Sequence, residues 1–236
     1  MRMTREKTVV QLTYLPKVFP VNCYLVEEEN SLTLVDAALP NNVKAILQAA
    51  EKLGKPITRI ILTHAHDDHI GALDGLKELL PGVQVFISKR DAKLLQGDRS
   101  LEPGEPSGPI RGGVPKKVLT KPDVLLQDGD RVGSLLAVAS PGHTPGSMAF
   151  LDTRNDILIV GDAFQTRAGV AVSGQLKLLF PFPAMATWDK QTSLESARRL
   201  RDLKPTLLAA GHGNMINQPK HWMEKAISEA ERSLAK

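Results

Sequence analysis

Cysteine is nearly missing from this chain of 236 residues, and that scarcity removes whole classes of explanation. Cys23 is the only one, so no internal disulfide can form and no Cys₄ or Cys₂His₂ zinc site can be built. Lying inside the apolar run "VNCYLV", it reads as core packing. Tyrosine is almost as rare: Tyr14 and Tyr24 are the only two, both near the start. An apolar leader is lacking as well. "MRMTREKTVVQLTYLP" has no h-region, and no apolar stretch approaches the roughly 20 residues of a membrane span. A cytoplasmic protein with no membrane partner is therefore expected. The formal net charge is +4, yet there is no Lys/Arg block and no basic stripe interleaved with aromatics. Nucleic acid is accordingly not an expected partner, and the charge reads as solvated surface.

What is present is an ordinary globular composition, 42% hydrophobic and 24% charged, on a chain long enough for a large core. One domain over residues 1–236 is expected. Strand-like runs at "TVVQLTYL" and "NCYLVEEENSLTLVDAAL" are joined by an acidic stretch that suits a hairpin. "PNNVKAILQAAEKLGKP" places Val43, Ile46, Leu47, Ala50 and Leu53 on a 3.6 period, with Asn41 or Asn42 to cap it and Gly54 and Pro56 to end it. Strand "TRIILTH", helix "GALDGLKELLPG" and strand "VQVFIS" follow, and that alternation predicts helices packed on a sheet. Residues 96–117 and 164–188 read as two long loops without clear periodicity, the kind that in compact domains carry function or motion. A helix over 188–203, a strand over 205–211 and a helix over 218–236 close the chain. Each half runs strands first and then strand–helix pairs, which hints at a duplicated plan.

Five of the six histidines sit in segments that share one grammar. "RIILTHAHDDH" is an apolar strand run that delivers His64, His66, Asp68 and His69. "LLAVASPGHTPG" delivers His143, "DILIVGDA" delivers Asp162 and "PTLLAAGHG" delivers His212. Glycine or proline beside each lets the backbone turn sharply past the last apolar residue. Strand ends of a layered α/β domain converge on one rim. Alternate residues of extended chain point to one side, so His64 and His66 can grip one ion, and Asp68 and His69 can reach a second after the turn. Without metal such a buried cluster would carry unsatisfied polar groups and repelling charge. His221 stands apart and reads as a surface helix residue.

"THAHDDH", the His143 of "PGHTPGS", the Asp162 of "GDA" and the His212 of "GHG" resemble, in order and spacing, the five signature motifs of the metallo-β-lactamase superfamily. The resemblance covers most of the chain. It implies an α/β fold, a four-layer αββα sandwich, with a dinuclear site at one edge of the two sheets. It also implies that His64, His66 and His143 bind one metal and Asp68, His69 and His212 the other, with Asp162 bridging them. Asp36, in "TLVDAA", matches the strand-end aspartate that braces the histidine loop. The implied cofactor is a pair of divalent ions, zinc foremost, with iron and manganese as alternatives. Two dications 3.5–4 Å apart repel by roughly 19 kcal/mol at an effective dielectric of 20, so anions must lie between them. Two carboxylates and one hydroxide leave the site net positive and still a Lewis acid. The implied activity is hydrolysis by a metal-bridging hydroxide, with Asp68 orienting it or passing on its proton.

Departures from known branches narrow the substrate. Zinc β-lactamases place cysteine or serine where this chain has Asp162. Lactonases acting on acyl-homoserine lactones place tyrosine three residues beyond it, where this chain has Gln165. Glyoxalase II enzymes carry a sizeable C-terminal helical domain, and only 24 residues follow His212 here. A small-molecule ester, lactone or thioester is therefore the expected substrate. The alternatives are a mononuclear iron sulfur dioxygenase and a β-lactam or phosphodiester hydrolase of the same superfamily. Phe164, Phe180, Phe182, Met185 and Trp188 are expected to line an acyl or aromatic pocket, with Arg167 or Lys177 meeting a substrate carboxylate. The apolar stretch 164–188 would serve equally as a homodimer contact.

Overall fold

The computed structural model describes residues 1–235. One sheet runs from edge to edge in chain order through β1 (Arg2–Glu6), β2 (Val9–Tyr14), β3 (Val21–Glu27), β4 (Leu32–Val35), β5 (Ile57–Ile61), β6 (Gln84–Ser88) and β7 (Val124–Leu126). Its first four strands pair antiparallel, as the turn at 28–31 predicts, and β4 through β7 pair parallel. The second sheet is built from β8 (Arg131–Val132), β9 (Leu135–Ala139), β10 (Met148–Asp152), β11 (Ile157–Gly161), β14 (Leu207–Ala210) and β15 (Ile216–Asn217). All its pairs are antiparallel except β11 with β14.

Parallel neighbours need a crossover, and helices supply it. α1 (Val43–Leu53) links β4 to β5, and α6 (Lys190–Asp202) lies between β11 and β14. Each sheet thus starts as an antiparallel meander and goes on to a parallel crossover, with β15 added antiparallel at the edge of the second. α1 ends on Gly54 in the left-handed conformation, as expected. Its capping differs: a 3₁₀ turn over Pro40–Asn42 precedes it, and the Asn42 side chain accepts from the Leu39 amide rather than from the helix. α6 begins on Asp189, whose carboxylate accepts from the Thr192 amide at 2.7 Å.

The layers follow from period-2 alternation. On β11, Ile157 and Ile159 join Val35, Ile61, Phe86 and Phe150 in a core between the two sheets. Leu158 and Val160, pointing the other way, pack with Leu194, Ala197 and Leu200 of α6 and with Ile227 of α7 (Lys220–Leu234). On β5, Ile61 faces the second sheet while Ile60 packs with Ile46 of α1 and with Leu73 of α3 (Leu73–Leu79). Helices, sheet, sheet, helices: this is the four-layer αββα sandwich. Strands buried on both faces explain why the sequence shows continuous apolar runs in place of clean alternation. Cys23 is fully buried in the outer core of the first sheet. His221 is exposed on α7.

Several elements escape the sequence reading. β1 is an edge strand with charged side chains. The helix expected over 71–82 is shorter, and a one-turn helix α2 (Asp67–Ile70) precedes it. α4 (Asp91–Leu95) was not expected. The stretch 164–188 is not one loop, since it holds the hairpin of β12 (Phe164–Gln165) and β13 (Ala171–Val172) and the short α5 (Phe182–Ala186). Among the described residues, no helix is long and apolar enough to cross a membrane.

Candidate metal centre and active site

Strands β4, β5, β9, β11 and β14 end at one rim, each in a turn that carries polar side chains. Asp36 follows β4, His64 to His69 follow β5, His143 follows β9, Asp162 follows β11 directly and His212 follows β14. Backbone bonds stitch the two sheets together there: Met148 N–H donates to the Thr63 carbonyl at 2.8 Å, and Asn22 N–H to the Gly211 carbonyl at 2.9 Å. The rim therefore brings together residues up to 176 positions apart, from Asp36 to His212.

Ligand-capable atoms of His64, His66 and His143 lie within 4.8 Å of one another, and so do those of Asp68, His69 and His212. Asp162 sits between the two groups. One oxygen is 3.4 Å from His69 Nε2; the other is 3.4 Å from His143 Nε2 and 3.2 Å from His212 Nε2. Asp68 Oδ2 lies 3.5 Å from His212 Nε2 and 4.0 Å from His69 Nε2. Every one of these residues is buried except Asp68, which is partly open to solvent.

Each imidazole is held by the nitrogen that faces away from the cluster. His66 Nε2 donates to the Arg111 carbonyl at 3.0 Å, and His212 Nδ1 to the Pro20 carbonyl at 2.7 Å. His69 Nδ1 donates to Asp36 Oδ2 at 2.8 Å. The same carboxylate oxygen accepts from the Thr63 hydroxyl, which leaves the Thr63 oxygen free to accept from His64 Nδ1 at 3.0 Å. His143 Nδ1 donates to Ser173 Oγ at 3.0 Å; that hydroxyl contacts Thr187 Oγ1, which donates to the Pro183 carbonyl. With the outer nitrogens protonated in this way, the inner ones present lone pairs to the centre. His66 Nδ1 and His143 Nε2 come within 3.0 Å, where two lone pairs repel unless a cation or proton lies between them. His64 Nε2, His69 Nε2 and Asp162 Oδ1 are buried and have no hydrogen-bond partner. Nitrogen and carboxylate donors in this array fit divalent zinc, iron or manganese.

Electrostatics divides the cluster. Burial drives His143 down to about 3 and holds His64 and His66 below the usual histidine range. Burial also opposes charge on His69 and His212, but Asp162 outweighs it and raises both, with Asp36 and Asp68 adding to the rise at His69. Burial alone would lift Asp162; the facing His212 and His69 instead hold it well below the usual carboxylate range.

Sequence reasoning missed Asp91, which is fully buried at the start of α4. Its carboxylate accepts from the Ala65 amide (3.0 Å), the Thr144 hydroxyl (2.7 Å) and the Gly146 amide (2.8 Å). One side chain thereby fastens the His64–His66 turn to the turn that carries His143. Gly146 packs so closely on it that an added Cβ would lie 2.6 Å from Asp91 Oδ1. A lone acid in "SKRDA" gives no sign of this. Ser173 and Thr187 were equally silent.

A cavity of about 340 Å³ opens over the cluster, with Asp68, Asp162, His143 and His212 at its base and Phe19, Phe182 and Met185 on its wall. Phe182 and Met185 thus lie where the pocket was expected. Phe180 is buried one layer back, its ring 5.4 Å from those of His212 and Phe182. Three expectations need correction. Phe164 is fully buried between the second sheet and its helices, because β12 turns it inward. Trp188 packs in the outer core of the first sheet and donates Nε1–H to the Gly108 carbonyl. Arg167 donates to the Lys17 carbonyl, and Lys177 pairs with Glu229 on α7, so neither lines the cavity. Phe19 was not foreseen. Of the 96–117 stretch, Gly112 and Gly113 form part of the rim.

Residues 16–212 match the family model of the metallo-beta-lactamase superfamily. The chain belongs to that superfamily. Its relatives are metallo-hydrolases, among them the probable metallo-hydrolase YflN of Bacillus subtilis (strain 168), 31% identical over 81% of this chain and 80% of that one, and the chain is an enzyme of that kind. It is 57% identical to uncharacterized protein YobT of Bacillus subtilis (strain 168), over 98% of this chain and 100% of that one. To hydroxyacylglutathione hydrolase GloC of Haemophilus influenzae it is 28% identical, over 83% of this chain and 87% of GloC. That coverage limits one inference: the short segment after His212 does not set this chain apart from GloC. Among solved structures, the di-iron-bound form of TTHA1623 superposes with a TM-score of 0.65 at 27% identity, over 89% of this chain and 96% of that one.

Proposed function

We propose that the protein is a dinuclear metallohydrolase of small esters, lactones or thioesters. The supporting observation is the set of five outer-nitrogen anchors, which aims five inner nitrogens and two carboxylates at one buried point. In this reading His64, His66 and His143 would hold one ion and Asp68, His69 and His212 the other, with Asp162 available to either. When bound, such ions polarise a carbonyl and bring the pKa of water down to about 7. Asp68, the one cluster member partly open to the cavity, orients the attacking water and takes its proton. Asp36 fixes the tautomer of His69 directly and that of His64 through Thr63. Among the described residues, no lysine, arginine or tyrosine lines the cavity to protonate a leaving group. That favours alkoxides and thiolates over amide nitrogen. The small-molecule partner is the substrate, and the di-iron neighbour supports iron beside zinc as the native pair. The test is elemental analysis with an assay panel of lactones, thioesters, phosphodiesters and a β-lactam. Two metals per chain with ester or thioester turnover is the expected result; a single iron with oxygen consumption on a persulfide would refute it.

Metal uptake will release protons. Asp162 raises the pKa values of His69 and His212, which favours protons on their inner nitrogens when no ion is bound, and any such proton must leave before an ion binds. Affinity will therefore weaken as pH falls from 8 to 6. Calorimetry in buffers of differing ionisation enthalpy measures this, and a proton count of zero at pH 7 would contradict it.

Gly211→Ala will cost the second ion. The added Cβ would overlap Asp162 Oδ1 and come within 2.6 Å of His69 Cε1. Zinc content is expected to fall from two per chain to one or fewer, with far-ultraviolet circular dichroism unchanged.

A further inference from the structure

Half of the large apolar side chains that lie exposed on this protein belong to two short segments beside the cavity, Leu15 and Val18 on one and Leu176, Leu178, Leu179, Phe182 and Met185 on the other. Leu178 and Leu179 are 86% and 88% exposed and Val18 is 80% exposed. The two segments touch: the Phe19 ring lies 5.3 Å from that of Phe180 and 5.0 Å from that of Phe182, and Arg167 fastens the first segment from below through the Lys17 carbonyl. Phe19, Phe182 and Met185 also form the cavity wall, so the exposed patch continues the apolar wall outward from the metal cluster. Exposed apolar side chains gathered on two touching segments beside a cavity mark a binding surface.

Charge narrows the occupant. The two nearest cations of the 164–188 stretch are engaged elsewhere, Arg167 with a backbone carbonyl and Lys177 with Glu229. Among the described residues, the only charged or titratable ones on the cavity surface are Asp67 and the proposed metal ligands. Apart from those ligands the cavity wall offers no cation to meet a carboxylate or phosphate, and the exposed Lys17 lies outside it. We infer that the substrate carries an uncharged hydrocarbon chain, which leaves the cavity between Phe19 and Phe182 and lies over Val18, Leu178 and Leu179. The inference rests on the proposed hydrolase reading and adds the substrate's class: a lipophilic acyl ester, thioester or alkyl-substituted lactone. A volume of about 340 Å³ holds the reacting group and a few carbons, and the remainder of the chain needs the outer patch.

The experiment uses zinc-loaded full-length protein and p-nitrophenyl esters from acetyl to decanoyl. Full burial of a methylene is worth about fourfold, and a chain covered on one side gains about twofold per carbon. The octanoyl ester should thus exceed the acetyl ester in kcat/KM by roughly 60-fold, the gain falling mainly in KM. In a Leu178→Ser, Leu179→Ser variant that ratio should collapse below tenfold. An acyl ester of equal length ending in a carboxylate should be at least tenfold poorer than its neutral counterpart. Turnover of the acetyl ester with a flat chain-length profile, or a preference for the carboxylate, would overturn the inference and leave the hydrolase reading standing. Absence of turnover on every ester in protein carrying two metals would overturn both. Size-exclusion on the same samples settles the rival occupant: a wild-type dimer that becomes monomeric in the variant while the ratio stays near 60 would make the patch an interface between copies.

Discussion

Asp68→Ala will reduce kcat by about a thousandfold on any ester the protein hydrolyses and will leave the fold in place. Positioned proton transfer contributes about 10²–10⁴-fold, and Asp68 is both the partly exposed carboxylate at the cavity floor and a member of the second ligand group. Its neighbours do not depend on it for position. His69 is fixed by Asp36 and His212 by the Pro20 carbonyl, each through the nitrogen remote from Asp68. The melting temperature of the metal-free variant should therefore stay within a few degrees of wild type, and the second ion should bind more weakly. Stopped-flow kinetics and elemental analysis on one preparation separate the two effects. Wild-type kcat in a variant holding one metal would remove Asp68 from the chemistry.

Asp91→Ala will have the opposite profile, a large loss of stability. Three buried donors, the Ala65 amide, the Thr144 hydroxyl and the Gly146 amide, would lose their acceptor. Each unsatisfied group costs about 1–3 kcal/mol, so a total of about 3–9 kcal/mol is expected. For a chain of this length that is a fall of at least about 6 °C in melting temperature. Asp91→Asn should be milder and has a further use. Burial lifts Asp91 to about 6 against its hydrogen bonds, so the folded state holds a proton that the unfolded chain releases above about 4. Stability from this group is full below pH 4 and declines as pH rises to 6. The difference in stability between wild type and Asp91→Asn, measured by urea unfolding of metal-free protein, should shrink over that window as pH rises. A difference that grew instead would reverse the assignment.

The histidine motif was legible because its members are close in sequence and each follows an apolar run that can only be a buried strand. The residues that orient it were not. Asp36 was readable as a strand-end acid, but Asp91 meets partners 26, 53 and 55 positions away, and no local pattern signals such a meeting. Ser173 and Thr187 act on His143 from 30 and 44 residues downstream. Secondary structure was clear wherever an element spans enough residues to show its period, as in α1 and α6. It failed at β12, β13 and α5, which are two, two and five residues long. Because those elements went unseen, Phe164 and Trp188 were grouped with Phe182 and Met185 as one apolar loop. A two-residue strand is enough to turn one aromatic into the core while another stays at the cavity.

The anchors on the five imidazoles carry a consequence for how such a cage chooses its guests. Rings locked from behind before anything arrives leave little freedom to tighten around one ion and slacken around another. Selection then rests on fit, and an ion whose preferred ligand distances depart from the preset spacing loses affinity.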